Sequence, residues 1–473
     1  MSSNEAQPAL KRRLGLRDLT LFYMIAGLSL RWIPTAAAIG PAAITLWLIA
    51  WLTFFIPLCG CVLELSSRYP AEGGLYVWTN HAFGPFPAFL AGWCYWMSNL
   101  PYFPAVLYFA AGNLLYVVHR DGLKTSGVYY EVFSIVCLAA IAGLNIWGLN
   151  IGKWLNNAGA AGAWVPLIAL MAMAVITWRK TGSATAFTVA SLRPAGAMKD
   201  LLLWSTIAFA FGGCESASFM SEEIQRPRRN MPRALLLAGV LTTLGYLGGT
   251  VAMLIALPAS RISGLDGFMQ AATEMCRKSG FVVIVPILAL LVALSNIGSA
   301  SAYLSSTARL PFVAGLGAHL PRAFARIHPR FHTPHIAILV YGGASILCAL
   351  MSQAGATVKA AYDVLVSLSI LTYFIPYLFL FASMMRLQRE PAGPEVLRIP
   401  GKGKGAAVLA ITGIVTTTLT LVLSSIPADE DPNKPLTVLK TVGATAVLIV
   451  IGVLVYRASA RRSSIAMGRE PAA

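Results

Sequence analysis

The stretch AGLSLRWIPTAAAIGP, from Ala26 to Pro41, sets an arginine, two prolines and two glycines inside an otherwise apolar run. A helix loses backbone hydrogen bonds at proline, and the groups it frees are tolerated at membrane depth only where they face protein or a cavity. The rest of the chain makes membrane depth the right frame. Of 473 residues, 57% are hydrophobic and 12% charged, with a mean hydropathy of +0.69, whereas soluble domains carry about a quarter charged residues. A bilayer-spanning helix needs roughly 20 mostly apolar residues. Twelve such runs fit at 19–42, 44–66, 86–117, 127–148, 157–178, 201–221, 234–257, 281–308, 335–353, 361–385, 406–424 and 437–456. The loops left between them are short, and no room remains for a soluble catalytic domain.

The sixth run repeats the device of the first. AFAFGGCESASF, Ala208 to Phe219, places Gly212 and Gly213 side by side and Glu215 two residues later. Runs 1 and 6 open two halves of five runs each, and paired interruptions at corresponding positions are the sequence pointer to a transporter built from inverted repeats. The expected organisation is an all-α polytopic membrane protein: a tail at 1–18, a first repeat at 19–180, a second at 200–385, two further spans within 406–456 and a tail at 457–473.

Two charges inside these runs are candidate site residues. An ionised carboxylate at the bilayer centre costs at least about 2.5 to 3.5 kcal/mol, so Glu215 needs a partner, a wet cavity or a proton. It reads as a protonatable gate or substrate contact, or else as a hydrogen-bonded carboxyl that fixes the broken helix. Arg31 cannot shed its charge and must find water or an acceptor. An anionic substrate group would serve; so would Glu215, broken-helix carbonyls or an outer vestibule reached by snorkelling. Glu64 and Arg309, near the cytoplasmic ends of runs 2 and 8, read as ion-pair or gate residues. Asp363 and Glu131 read as helix-start carboxylates near an N-terminal dipole.

The remaining charges set orientation. There are 36 Lys and Arg against 19 Asp and Glu, a net +17. With the N-terminus in the cytoplasm, and Arg309 counted with run 8, 22 of the 36 basic residues fall in cytoplasmic segments, which fits the positive-inside rule with both termini inside. The basic balance is therefore a topology signal, and nucleic acid is not an expected partner. The seven cysteines and six histidines are scattered without disulfide or metal-ligand spacing, so neither a metal nor a cofactor is expected. The first run lacks a short signal-peptide core and cleavage site, and it reads as a retained span.

Three segments carry a resemblance. They are ELSSRYPAEGGLYVWTNHAFGPF (Glu64 to Phe86), SEEIQRPRRNMPRALL (Ser221 to Leu236) and STARLPFVAGLGAHLPRAFARIHPRFHTP (Ser306 to Pro334). Together, in this order and across nearly the whole chain, they resemble the amino acid, polyamine and organocation transporter superfamily. The resemblance implies a LeuT-type fold of 5+5 inverted repeats plus two C-terminal helices, cycling by alternating access around a central site. The run LRWIPTAA, Leu30 to Ala37, stands where most members carry a Gly-Ser-Gly-Ile-Phe type sequence, and it looks most like the bacterial glutamate/GABA antiporter branch.

Carried over residue by residue, the resemblance makes the backbone of Gly27, Leu28, Ser29 and Leu30 a cradle for a substrate carboxylate. The backbone of Phe211, Gly212 and Gly213 would take the amine. Phe209 matches the aromatic gate over the site, and Tyr303 falls where an aromatic can close it from below. Many relatives carry a lysine in the fifth span, but the matching position here is Ala163, and Lys153 lies too early to replace it. That leaves proton coupling through Glu215, pure exchange, or sodium with Ser299 and Ser301 as hydroxyl ligands.

The expected protein is thus a sodium-independent exchanger or proton symporter for amino acids in the plasma (inner) membrane, with a small zwitterion or related amine, the bilayer and protons as partners. A polyamine or amine transporter of the same fold and a non-transporting substrate sensor are the alternatives. Cationic substrates would favour Glu215, and anionic ones Arg31. An enzyme fits worst, since no nucleophile and base stand at recognisable spacing.

Overall fold

The computed structural model describes residues 15–467 except 72, 148, 219–223, 309, 311–315, 317, 318, 332, 392, 402 and 428–432. Side chains are additionally left out at 25, 26, 149–158, 160, 161, 305, 306, 322, 325 and 461–467. Arg309, the side chain of Lys153 and most of both tails therefore lie outside the described residues. The described secondary structure is helical, with no strand among the described residues.

Among the described residues, ten helices are long and apolar enough to cross a membrane, and their positions follow the apolar runs. The first run is split into α1 (Leu16–Gly27) and α2 (Trp32–Ala37). There follow α3 (Ala42–Arg68), the short α4 (Leu75–Phe83), α5 (Pro85–Val118), α6 (Gly127–Trp147) and α7 (Leu149–Thr181). The sixth run holds only α8 (Met198–Ala210) before it unwinds. Then come α9 (Pro227–Ala256), α10 (Gly267–Ser279), α11 (Val285–Thr307), α12 (His335–Gln353), α13 (Val358–Leu387), α14 (Lys404–Ser424) and α15 (Lys434–Ala460).

The exterior is apolar. Leu52, Val136, Ile168, Leu347 and Val415 are all exposed on the long helices, an arrangement that hydrocarbon favours and water penalises at about 25 cal/mol per Å². Inside, α11 packs against α5 and α7, α1 against α9, and α13 against α14. The larger hydrophobic cluster wraps the two interrupted segments with Trp47, Phe54, Tyr246 and Tyr377.

Several local expectations change. α13 begins at Val358 and α6 at Gly127, so Asp363 and Glu131 sit in the second turn, beyond the reach of a terminal dipole. Glu64 is buried and pairs with Arg68 one helical turn on at 3.0 Å, while its second oxygen accepts the Ile399 amide at 2.9 Å. The helices α4 and α10, too short to span, escaped the apolar-run reading. In α10 the buried residues Phe268, Met269, Ala272, Met275 and Cys276 recur at helical spacing. A π-turn at Trp51–Phe55 interrupts α3 and brings Phe54 to 5.6 Å from Tyr377 and Phe55 to 5.4 Å from Phe211.

Candidate functional site

The first break follows from Pro34. Its ring removes the amide that would bond Leu30 and crowds that carbonyl, so the helix restarts with Pro34 in the first turn of α2, where a missing donor costs nothing. Leu28 is extended (φ −101°, ψ 116°) and its amide donates to the Met24 carbonyl at 3.3 Å. Tyr246 of α9 bridges the gap: its hydroxyl donates to the Gly27 carbonyl at 2.7 Å and accepts the Ser29 amide at 3.1 Å. Trp47 stacks on the Tyr246 ring at 4.4 Å and anchors its own indole to Thr250 at 3.1 Å.

The second break is built on glycine. Gly213 has φ +105°, a conformation that side chains avoid. A Cβ on Gly212 would sit 2.7 Å from the Tyr373 ring. Here too a tyrosine spans the gap, for the Tyr377 hydroxyl accepts the Gly213 amide at 3.2 Å and donates to Glu215 Oε2 at 2.9 Å. Glu215 is wholly buried, and its Oε1 accepts from Tyr373 at 2.7 Å and Tyr95 at 3.1 Å. Three phenols thus satisfy this carboxylate with no cation, since among the described residues no ion pair reaches it. Its neighbour Cys214 lies with Sγ 3.1 Å from Cys59 Sγ of α3.

Arg31 is treated differently. It is 2% exposed, with its guanidinium 4.1 Å over the Trp32 ring and 5.0 Å over the Tyr102 ring. Its Nε and Nη1 are buried without a hydrogen-bond partner. Pairing with Glu215, one reading of the sequence, does not occur.

Between the breaks lies a cavity with about 80 Å³ open to the centres of water molecules. The first break supplies Gly27 to Trp32, and the second Phe209, Ala210, Gly212 and Gly213. α5 adds Ser98, Asn99 and Tyr102; α11 adds Ser295, Asn296, Ser299 and Tyr303; α13 adds Tyr373. Phe209 stands edge-on to Trp32 and Tyr373, each at 5.4 Å.

Most sequence candidates therefore meet here, and three do not. Phe211 turns to a smaller neighbouring pocket with Phe55 and Cys214. Glu215 is behind Tyr373, which lines the cavity on one side and bonds the carboxylate on the other. Ser301 is buried and accepts from Asn145 at 3.1 Å; two residues along a helix point about 200° apart, so it does not converge with Ser299. Ala163 is buried, as its apolar side chain allows.

Sequence reasoning missed the tyrosines. A single aromatic in an apolar run reads as packing, but a phenol at membrane depth needs a hydrogen-bond partner. Tyr373 and Tyr377, four apart and hence on one helix face, were the available signal.

Two unwound segments sharing a polar cavity inside a bundle with an apolar exterior define a multi-pass membrane transporter of small molecules. The sequence model described as amino acid permease matches residues 14–455, and the chain belongs to that family. It is 26% identical to an uncharacterized transporter of Legionella pneumophila, over 90% of this chain and 92% of that one. It is 22% identical to a probable agmatine/putrescine antiporter of Lactococcus lactis, over 89% and 90%. Its identity to a glutamate/gamma-aminobutyrate antiporter of the same species is also 22%, over 80% and 77%.

Proposed function

We propose that this protein moves amino acids or related amines across the plasma membrane by alternating access, as a sodium-independent exchanger or proton symporter. The observation that carries this reading is the cavity that both helix breaks line together with α5, α11 and α13. The proposal includes twelve spans, counting the two interrupted ones, in two inverted halves at 19–180 and 200–385 with two further spans in 406–456. Both termini, 1–18 and 457–473, are then cytoplasmic, as the positive-inside bias favours.

In this reading the substrate carboxylate meets the first break and the amine meets carbonyls freed around Phe211, Gly212 and Gly213. The amides of Leu28 and Ser29 are already bonded, so a carboxylate either displaces the Tyr246 hydroxyl or leans on Arg31. Phe209 covers the substrate and Tyr303 closes beneath it. Glu215 acts as a gate through Tyr95, Tyr373 and Tyr377, opening when those phenols part. The divergence of Ser299 and Ser301 supports sodium independence. The likeness to an agmatine/putrescine antiporter supports amines as the second substrate class.

Purified protein in liposomes, offered labelled amino acids and amines with and without internal substrate, a proton gradient or sodium, tests this. Saturable exchange unaffected by sodium is the expected result. Binding without exchange for every class would replace the reading with a sensor.

A further inference from the structure

Among the described residues the cavity holds one formal charge: no aspartate, glutamate, lysine or histidine is among its described lining residues, and Arg31 is. Its guanidinium is buried, with two nitrogens unpartnered, and among the described residues no carboxylate comes within ion-pair distance. The faces of Trp32 and Tyr102 offset part of the lost hydration. They supply no counter-charge, and a buried guanidinium with unmade hydrogen bonds is a costly ground state unless a ligand completes it.

The charge of the ligand follows. A polyamine would add positive charge to a cavity that Glu215 does not line, its carboxylate already accepting from three phenols. A neutral amino acid brings equal and opposite charges and leaves the site at plus one. An amino acid with a second carboxylate brings the sum to zero. We propose that the cavity selects acidic amino acids, one carboxylate pairing with the Arg31 guanidinium. This deepens the transport reading above and rests on it. Arginine suits the task because its planar fork matches a carboxylate with two parallel hydrogen bonds.

The test is counterflow into liposomes preloaded with unlabelled substrate, comparing labelled glutamate and aspartate with glutamine and asparagine, which share their shape and lack the charge, and with putrescine and agmatine. Acids should exceed amides by about tenfold or more in kcat/KM, since a site built around a charged hydrogen-bond donor rejects analogues that leave it unpaired. Arg31→Gln should bring that ratio to about one, and Arg31→Lys should keep part of it. Amides or diamines carried by the wild type as well as glutamate would overturn the assignment and leave transport standing. Exchange of apolar or cationic amino acids but of none of these six compounds would likewise overturn the assignment and leave transport standing, and absence of exchange for every class would remove the transport reading, and this inference with it. Thermal unfolding in detergent checks that Arg31→Gln folds; if it does not, the wild-type ratio of acid to amide decides alone.

Discussion

The two breaks solve one problem in opposite ways. Each frees backbone groups at membrane depth, and each is bridged by a tyrosine hydroxyl from another helix: Tyr246 at the first, Tyr377 at the second. They differ in the charge they hold. Glu215 is saturated by three phenols, while Arg31 has two nitrogens without partners. The contrast teaches that a buried charge marks a lock when its hydrogen bonds are made and a binding site when they are not.

Truncation at the two positions should therefore have opposite effects on the resting protein. Glu215→Ala takes the acceptor from three phenols, of which Tyr377 is buried and Tyr95 and Tyr373 half-buried, at up to about 1 to 3 kcal/mol each, and should give the largest loss of thermal stability in detergent. Glu215→Gln keeps an acceptor and should fold, with the pH dependence of exchange altered; transport unchanged at every pH would break the assignment of Glu215 to the gate. Arg31→Met removes a buried cation whose Nε and Nη1 make no hydrogen bond and should leave stability within about 1 kcal/mol of wild type or raise it, while uptake falls at least about tenfold. A marked drop in melting temperature for Arg31→Met would mean that the arginine is structurally satisfied, and the contrast would collapse.

Smaller effects sharpen the comparison. Tyr246→Phe orphans the Gly27 carbonyl and Ser29 amide, and Tyr377→Phe orphans the Gly213 amide; each should cost about 1 to 3 kcal/mol in denaturation. Unequal losses would show which bridge bears more of the fold. Gly212→Ala places a methyl group 2.7 Å from the Tyr373 ring and should cost about 1 to 3 kcal/mol through overpacking, with substrate affinity weakened as the ring shifts. Least of all, Cys59→Ala should be nearly silent by itself. Oxidative cross-linking of the wild type should join its sulfur to Cys214, 3.1 Å away, and slow exchange, an effect absent from the variant.

The apolar runs carried most of the architecture because a hydrocarbon-facing helix must be apolar along its whole length, and that constraint is local. The breaks were equally plain, since Pro34 and the Gly212–Gly213 pair act on their own turns. Pairings were harder. Whether Arg31 meets Glu215 depends on how helices far apart in sequence pack, and the answer lies with Tyr95, Tyr373 and Tyr377 on two other helices. Ser299 and Ser301 illustrate the same limit at short range: both are small hydroxyl residues on α11, and only the helical rotation between them separates one in the cavity from one bonded to Asn145.

Tyr373 ties the halves of this comparison together. One side chain lines the cavity and also donates to Glu215 at 2.7 Å. Any ligand that draws on that hydroxyl changes the carboxylate's affinity for a proton, and linkage requires the proton to change affinity for the ligand by the same factor. A single phenol is thus enough to make occupancy of the cavity and ionisation of Glu215 two readings of one equilibrium.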